Sequence, residues 1–165
     1  MRVFAVAGYS GTGKTVLIEA LIRELTRRGF SVSTIKSTNE DIADKEGTDT
    51  ARHRMSGAQT TILVGPDSMT IRLKRPSSLR ESISWIQSDL LIIEGMKEKN
   101  IPKIWCIGDE KSPKELPDGV LAIYAWKDSP IYREGQIISS YTNEQISELV
   151  DLIETASVDL MEIDL

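Results

Sequence analysis

Eight consecutive residues, Gly8-Tyr9-Ser10-Gly11-Thr12-Gly13-Lys14-Thr15, place three glycines, a lysine and a hydroxyl at a spacing that can wrap a polyphosphate. The tail of a nucleoside triphosphate carries several negative charges, and a backbone without bulky side chains approaches them most closely. Glycine adopts positive φ at little cost, so Gly8, Gly11 and Gly13 permit that approach. Backbone N–H groups from Ser10 through Gly11, Thr12, Gly13 and Lys14 to Thr15 can then converge on phosphate oxygens, reinforced by the free N–H groups that open a following helix. Lys14 supplies a compact ammonium for the β- and γ-phosphates, and the Thr15 hydroxyl is the expected protein ligand for Mg²⁺.

Such a loop works only between a strand and a helix, and the sequence provides both. Val3 to Ala7 is a short apolar run. From about Thr15 to Arg28, Leu17, Leu21 and Leu25 recur at helical spacing beside Ile18 and Ile22, and Gly29 ends the pattern. Phe30 to Lys36 alternates with β-branched residues and predicts a second strand, completing a right-handed βαβ unit. A polar loop follows from Ser37 to Thr48, and Thr48 caps a short helix reaching about Met55 and stopping at Gly57. Thr60–Val64 and Met69–Leu73 flank Gly65-Pro66-Asp67-Ser68, the pattern of a hairpin. Ser78 and Glu81 form a capping box for a helix carrying Leu79, Ile83 and Ile86. Leu90 to Ile93 is wholly apolar, as in a strand covered on both faces. Lys103–Ile107 and Val120–Ala125 add strands, and Thr142 opens a last helix with Gln145 at the box position and Ile146, Leu149, Val150 and Ile153 on one face. The expected fold class is α/β, a P-loop NTPase three-layer α/β/α arrangement with a mostly parallel central sheet, in one domain over residues 1–165.

Bulk properties exclude several functions. The net charge of −5, from 20 Lys+Arg against 25 Asp+Glu, provides no overall basic field for nucleic acid or an anionic membrane surface. Any polyanion site must therefore be local. Nothing approaches the apolar length of a membrane span, and the glycine loop follows Met1 too closely for a secretory leader, so a cytoplasmic location is expected. Cys106 is the only cysteine, which excludes an internal disulfide and a cysteine-rich metal cluster and fits a small apolar residue inside a strand.

A second nucleotide element follows at Asp89-Leu90-Leu91-Ile92-Ile93-Glu94-Gly95. It has the form of a Walker B strand, which delivers one carboxylate to the carboxyl edge of a sheet where ligands bind. Glu94 can hold Mg²⁺ through a water or orient an attacking water, which makes Glu94 and Lys14 the catalytic candidates. Gly95 leaves room for the γ-phosphate.

These blocks, with LIEALI, Ile35-Lys36, GTDTARHRMSGA from Gly47, LLIIEGMK ending at Lys97 and the Pro102-Lys103-Ile104 segment, resemble the molybdopterin-guanine dinucleotide biosynthesis protein B family, MobB, of the P-loop GTPases. The likeness covers roughly residues 1 to 107 in order. It implies a homodimer that binds GTP with Mg²⁺, hydrolyses it weakly and assists the guanylyltransferase joining a GMP unit to molybdopterin, with molybdopterin itself a further candidate ligand. Within the matching Gly-x-Asp-Ser/Thr segment, Asp49 can reach Mg²⁺ directly or through water, or serve as a solvated acid at a helix start. Arg52-His53-Arg54 reads as a solvated helix face. Trp85, Trp105 and Trp126 suit either a dimer interface or the core.

Two positions depart from the family pattern. Histidines that usually follow the Ile-Lys pair are replaced here by Ser37-Thr38-Asn39-Glu40-Asp41. Val16 stands where a second hydroxyl is usual, leaving a backbone N–H for the phosphate. For base selection, Ala125-Trp126-Lys127-Asp128 follows a strand at the right place with the wrong spacing, so Asp128 is either a guanine reader or an ordinary turn acid. Three functions are compatible: a GTP-binding accessory protein, a small-molecule kinase with a basic lid at Arg72–Arg80 or Lys97–Lys103, and a non-enzymatic module whose Ser37–Thr48 loop is gated by nucleotide.

Overall fold

The computed structural model describes residues 1–38, 47–75, 77–108, 115–125, 137–139 and 143–163. They divide into two compact units, residues 1–38 with 86–165, and residues 39–85.

The larger unit is built on a seven-stranded sheet. Along the chain, β1 (Arg2–Gly8) leads to α1 (Lys14–Arg27) and β2 (Val32–Lys36). Beyond the second unit come β5 (Leu90–Glu94), β6 (Lys103–Ile107), β7 (Val120–Ala125) and β8 (Ile137–Ser139), then α4 (Asn143–Ala156), β9 (Val158–Asp159) and a 3-10 turn at Leu160–Glu162. The order is β2-β5-β1-β6-β7-β8, parallel throughout, with β9 alone antiparallel, against the start of β1. Val3 to Gly8 are all buried, as expected for a strand with neighbours on both sides and cover on both faces.

Side chains alternate across this sheet. Phe4, Val6, Leu90, Ile92, Ile104, Cys106, Ala122 and Tyr124 form one face, on which α1 packs Leu17, Ile18, Leu21 and Leu25 and α4 packs Ile146, Leu149, Val150 and Ile153. Full burial of each such leucine or isoleucine contributes about 1.5–3 kcal/mol. Arg28 fastens the two helices together: its guanidinium donates to Glu24 at 2.9 Å, to Asp151 and Glu154 at 2.6 Å each, and to the Ser147 carbonyl at 2.9 Å. Ala7, Trp105, Ile107, Ile123 and Ala125 form a cluster on the opposite face.

The predicted second strand starts two residues late. Phe30 N–H donates to the Leu25 carbonyl at 3.1 Å and Gly29 adopts φ +92°, so Phe30 completes the C-cap of α1 instead of entering β2.

The second unit contains α2 (Asp49–Met55), a hairpin of β3 (Thr60–Val64) and β4 (Met69–Leu73), and α3 (Leu79–Ser84). Thr48 caps α2 by accepting from Ala51 N–H at 3.3 Å, and Ser78 caps α3 by accepting from Glu81 N–H at 3.1 Å. The Glu81 carboxylate is engaged by Arg75. Ile86, expected on α3, lies beyond its end, because the helix stops at Ser84 with Trp85 as C-cap. The predicted start of α4 at Thr142 lies outside the described residues.

Candidate nucleotide site

The central strand β1 delivers Gly8 to the carboxyl edge of the sheet, and the chain turns over that edge into α1. Gly8 has φ +144°, and a Cβ there would stand 2.4 Å from the Cys106 carbonyl oxygen and 2.9 Å from Thr12 Oγ1. Gly11 and Gly13 have φ of +77° and +80°, and Gly13 is the N-cap of α1 with no side chain over the helix start. The three glycines thus occupy conformations that side-chain-bearing residues rarely adopt. Ser10 and Thr15 are exposed, Lys14 and Val16 half-buried.

Thr12 does more than contribute an amide. Its side chain is buried, and its hydroxyl donates to the Tyr9 carbonyl at 2.9 Å, closing the loop on itself. The Lys14 ammonium donates to the same carbonyl at 2.5 Å. Burial holds the Lys14 ammonium below its ordinary value; Glu94 opposes that shift, while Lys97 and Lys36 add to it.

Glu94 ends β5, hydrogen-bonded in register beside Val6 of β1 and Lys36 of β2. Its side chain is 16% exposed and pairs with Lys36 at 3.4 Å. Gly95 N–H donates to the Val6 carbonyl at 3.0 Å, and Gly95 takes φ +117°. The structure therefore brings Lys14, Glu94 and Gly95 to one edge beside the loop. Cys106, beneath Gly8, is fully buried, and burial pushes its thiol up to about 12, so it is neutral and inert near neutrality.

The turn after Glu94 gives Lys97 and Lys103, named in the sequence as ends of a candidate lid, specific partners. Met96 has φ +56°, uncommon for a side-chain-bearing residue. Lys103, with no exposed surface, donates from Nζ to the carbonyls of Lys99 at 2.5 Å, Lys97 at 2.9 Å and Met96 at 3.4 Å. Lys97 in turn carries its ammonium 4.7 Å from the centre of the Tyr9 ring, whose edge-to-face partner at 6.0 Å is Trp105. A lysine within an otherwise apolar strand was the available signal for Lys103.

Asp49 belongs to the second unit, where it opens α2 and forms a 3.8 Å surface pair with Arg52. Trp85 is exposed and Trp105 buried. Trp126 and Asp128 lie outside the described residues. Among the described residues, no group of three or more His, Cys, Asp or Glu could hold a metal, and no helix is long and apolar enough to cross a membrane.

A mostly parallel sheet with flanking helices, whose central strand ends in a glycine loop at a helix start, defines a P-loop-like α/β fold. Residues 3–126 match the family MobB, molybdopterin guanine dinucleotide synthesis protein B. The chain belongs to that family. It is 35% identical over 129 residues to the molybdopterin-guanine dinucleotide biosynthesis adapter protein of Haemophilus influenzae, covering 73% of this chain and 72% of that one. The adapter protein of the same name from Escherichia coli is 29% identical over 158 residues, 90% of each chain. In fold, the chain resembles the crystal structure of Bacillus subtilis MobB, with a TM-score of 0.73 at 19% identity over 92% of this chain and 98% of that one. A MobB homologue from Bacillus stearothermophilus gives 0.68 at 24% identity, over 93% and 98%.

Proposed function

We propose that this chain is a cytoplasmic GTP-binding adapter of molybdopterin guanine dinucleotide synthesis, which hydrolyses GTP slowly with Mg²⁺ and assists the guanylyltransferase that joins GMP to molybdopterin. The observation carrying this reading is the backbone of the glycine loop: Gly8, Gly11 and Gly13 all at positive φ, with Gly13 leaving the N-terminus of a 14-residue helix open. The donor set fits Mg·GTP. Backbone N–H groups from Ser10 to Val16 would hold the phosphates, and the Thr15 hydroxyl and, through water, Glu94 would hold the metal. Mg²⁺, when bound with the triphosphate, offsets charge on the phosphate oxygens.

Lys14 exchanges the Tyr9 carbonyl for the β- and γ-phosphates, and Glu94 orients the attacking water. Slow turnover is expected because neither the glycine loop nor the Asp89–Gly95 segment carries an arginine of its own. The kinase alternative has less support, since Lys103 is turned inward and fully buried. Two copies associate through the hairpin of the second unit, where Leu63, Val64 and Met69 are 58%, 73% and 60% exposed. Guanine reading is assigned to Asp128 on its place in sequence after the Val120–Ala125 strand, with an ordinary turn acid as the alternative.

Calorimetric titration with GTP, ATP and molybdopterin in the presence of Mg²⁺ tests the reading. Micromolar-range GTP binding that requires Mg²⁺ and exceeds ATP binding is expected, and no GTP binding would overturn it. Unchanged guanine preference in Asp128→Asn would remove that residue from the account.

A further inference from the structure

Tyr9 anchors two ammonium groups. Lys14 donates to its carbonyl and Lys97 sits over its ring, 4.7 Å from the centroid. Glu94 is occupied by Lys36, and among the described residues Lys97 forms no ion pair with a carboxylate. A cation–π contact at a half-exposed ring is worth only about 0.5–1 kcal/mol, so Lys97 is held in place yet readily transferred to a stronger anion.

The position of Lys97 is built at some cost. Burying the Lys103 ammonium is unfavourable unless its donors are satisfied, and its acceptors are three carbonyls of the turn that carries Lys97. Around them Met96 takes positive φ, Lys99 N–H returns to the Met96 carbonyl at 3.3 Å and Ile101 N–H to the Lys99 carbonyl at 2.9 Å. The ladder of β6 and β7 shifts register between Lys103 and Ile104, where the strand leaves this turn. An apolar residue would fill the sheet face at position 103 without burying a charge. The lysine instead fixes a turn that begins at Gly95, bonded to β1 through the Val6 carbonyl, and ends with an uncommitted cation beside the glycine loop.

We infer that Lys97 is a second cation for the nucleotide tail, parked on the Tyr9 ring and transferred to the terminal phosphate when a triphosphate binds, with Lys103 as the residue that positions it. This rests on the nucleotide reading above and adds that the site distinguishes triphosphate from diphosphate through Lys97. Lys14 meets the β-phosphate that both ligands carry as well as the γ-phosphate, whereas Lys97, on the turn that follows Glu94 and Gly95, is assigned to the terminal phosphate of the triphosphate alone.

The test is calorimetric titration of the full chain and of Lys97→Ala, Lys97→Arg and Lys103→Met with GTP and GDP, each with Mg²⁺. Lys97→Ala should weaken GTP about tenfold or more, the loss of one hydrogen bond to a charged group, and leave GDP nearly unchanged. Lys97→Arg should restore most of the GTP affinity. Lys103→Met should lose the same GTP-over-GDP preference, measured below its melting transition, an effect that general destabilisation would not confine to one nucleotide. Equal weakening of both nucleotides, or of neither, in Lys97→Ala would overturn the inference while leaving nucleotide binding intact. Failure of the unaltered chain to bind either nucleotide would overturn the inference and the underlying reading together. If Lys103→Met does not fold, the two Lys97 variants decide the matter.

Discussion

Gly8 and Cys106 are in backbone contact across the β1–β6 ladder, so close that a Cβ on Gly8 would stand 2.4 Å from the Cys106 carbonyl oxygen. Strand pairing and loop geometry therefore meet at one residue. Gly8→Ala should lower the melting temperature through the φ of +144° and the clash with β6 backbone, about 1–3 kcal/mol from backbone conformation alone. It should also weaken GTP binding, because the loop begins at this residue. Thermal denaturation and titration of the same variant check both effects.

Lys14→Ala should lose GTP affinity by about tenfold or more, with little change in melting temperature, because among the described residues its ammonium bonds to the Tyr9 carbonyl, which Thr12 already holds. Burial lowers the Lys14 ammonium below 10.5, so in the unaltered protein GTP affinity should fall as pH rises from neutrality toward 10.5, earlier than for an ordinary lysine. Titrations across that range test the direction.

Glu94→Gln removes the charge facing Lys36 and a candidate for orienting water. GTP hydrolysis should fall about a hundredfold while GTP binding changes much less. Single-turnover hydrolysis with saturating GTP separates the two.

Acid stability should depend on Glu24. Its hydrogen bonds from Arg27 and Arg28 lower its carboxyl from 4.5 to about 2 in the folded chain. A depressed carboxylate adds stability that is complete above 4.5 and is lost as pH falls from there to about 2. Denaturant unfolding at a series of pH values should show this decline, and Glu24→Gln should flatten it.

Much of the architecture was legible because local patterns were strong. The apolar run at Leu90–Ile93 predicts a strand covered on both faces, and β5 lies between β1 and β2. Residue type and spacing mark Thr48 and Ser78 as caps, and both accept the expected N–H groups. The positive φ of Gly8, Gly11, Gly13 and Gly95 is legible by residue type, and the apolar run before Glu94 places it at a strand end. What escaped depends on partners distant in sequence. Arg28 read as a basic last turn, but its work is to hold α4 through Asp151, Glu154 and Ser147, more than a hundred positions away. Lys103 sits in a strand and bonds to a turn that its spacing does not announce. Ile86 fits the period of α3, yet the helix ends at Ser84 with Trp85 as its C-cap. β9 pairs with β1 across nearly the whole chain, beyond the reach of any local pattern.

The strand order also has a kinetic meaning. β1 and β2 are not neighbours; the strand between them, β5, starts only at Leu90. During synthesis the first two strands must wait, without a sheet partner, until more than half of the chain has emerged from the ribosome. Assembly of the sheet is then a late, slow event, because its founding contacts close long loops. Chaperone association should accordingly be greatest for nascent chains that end just before Leu90.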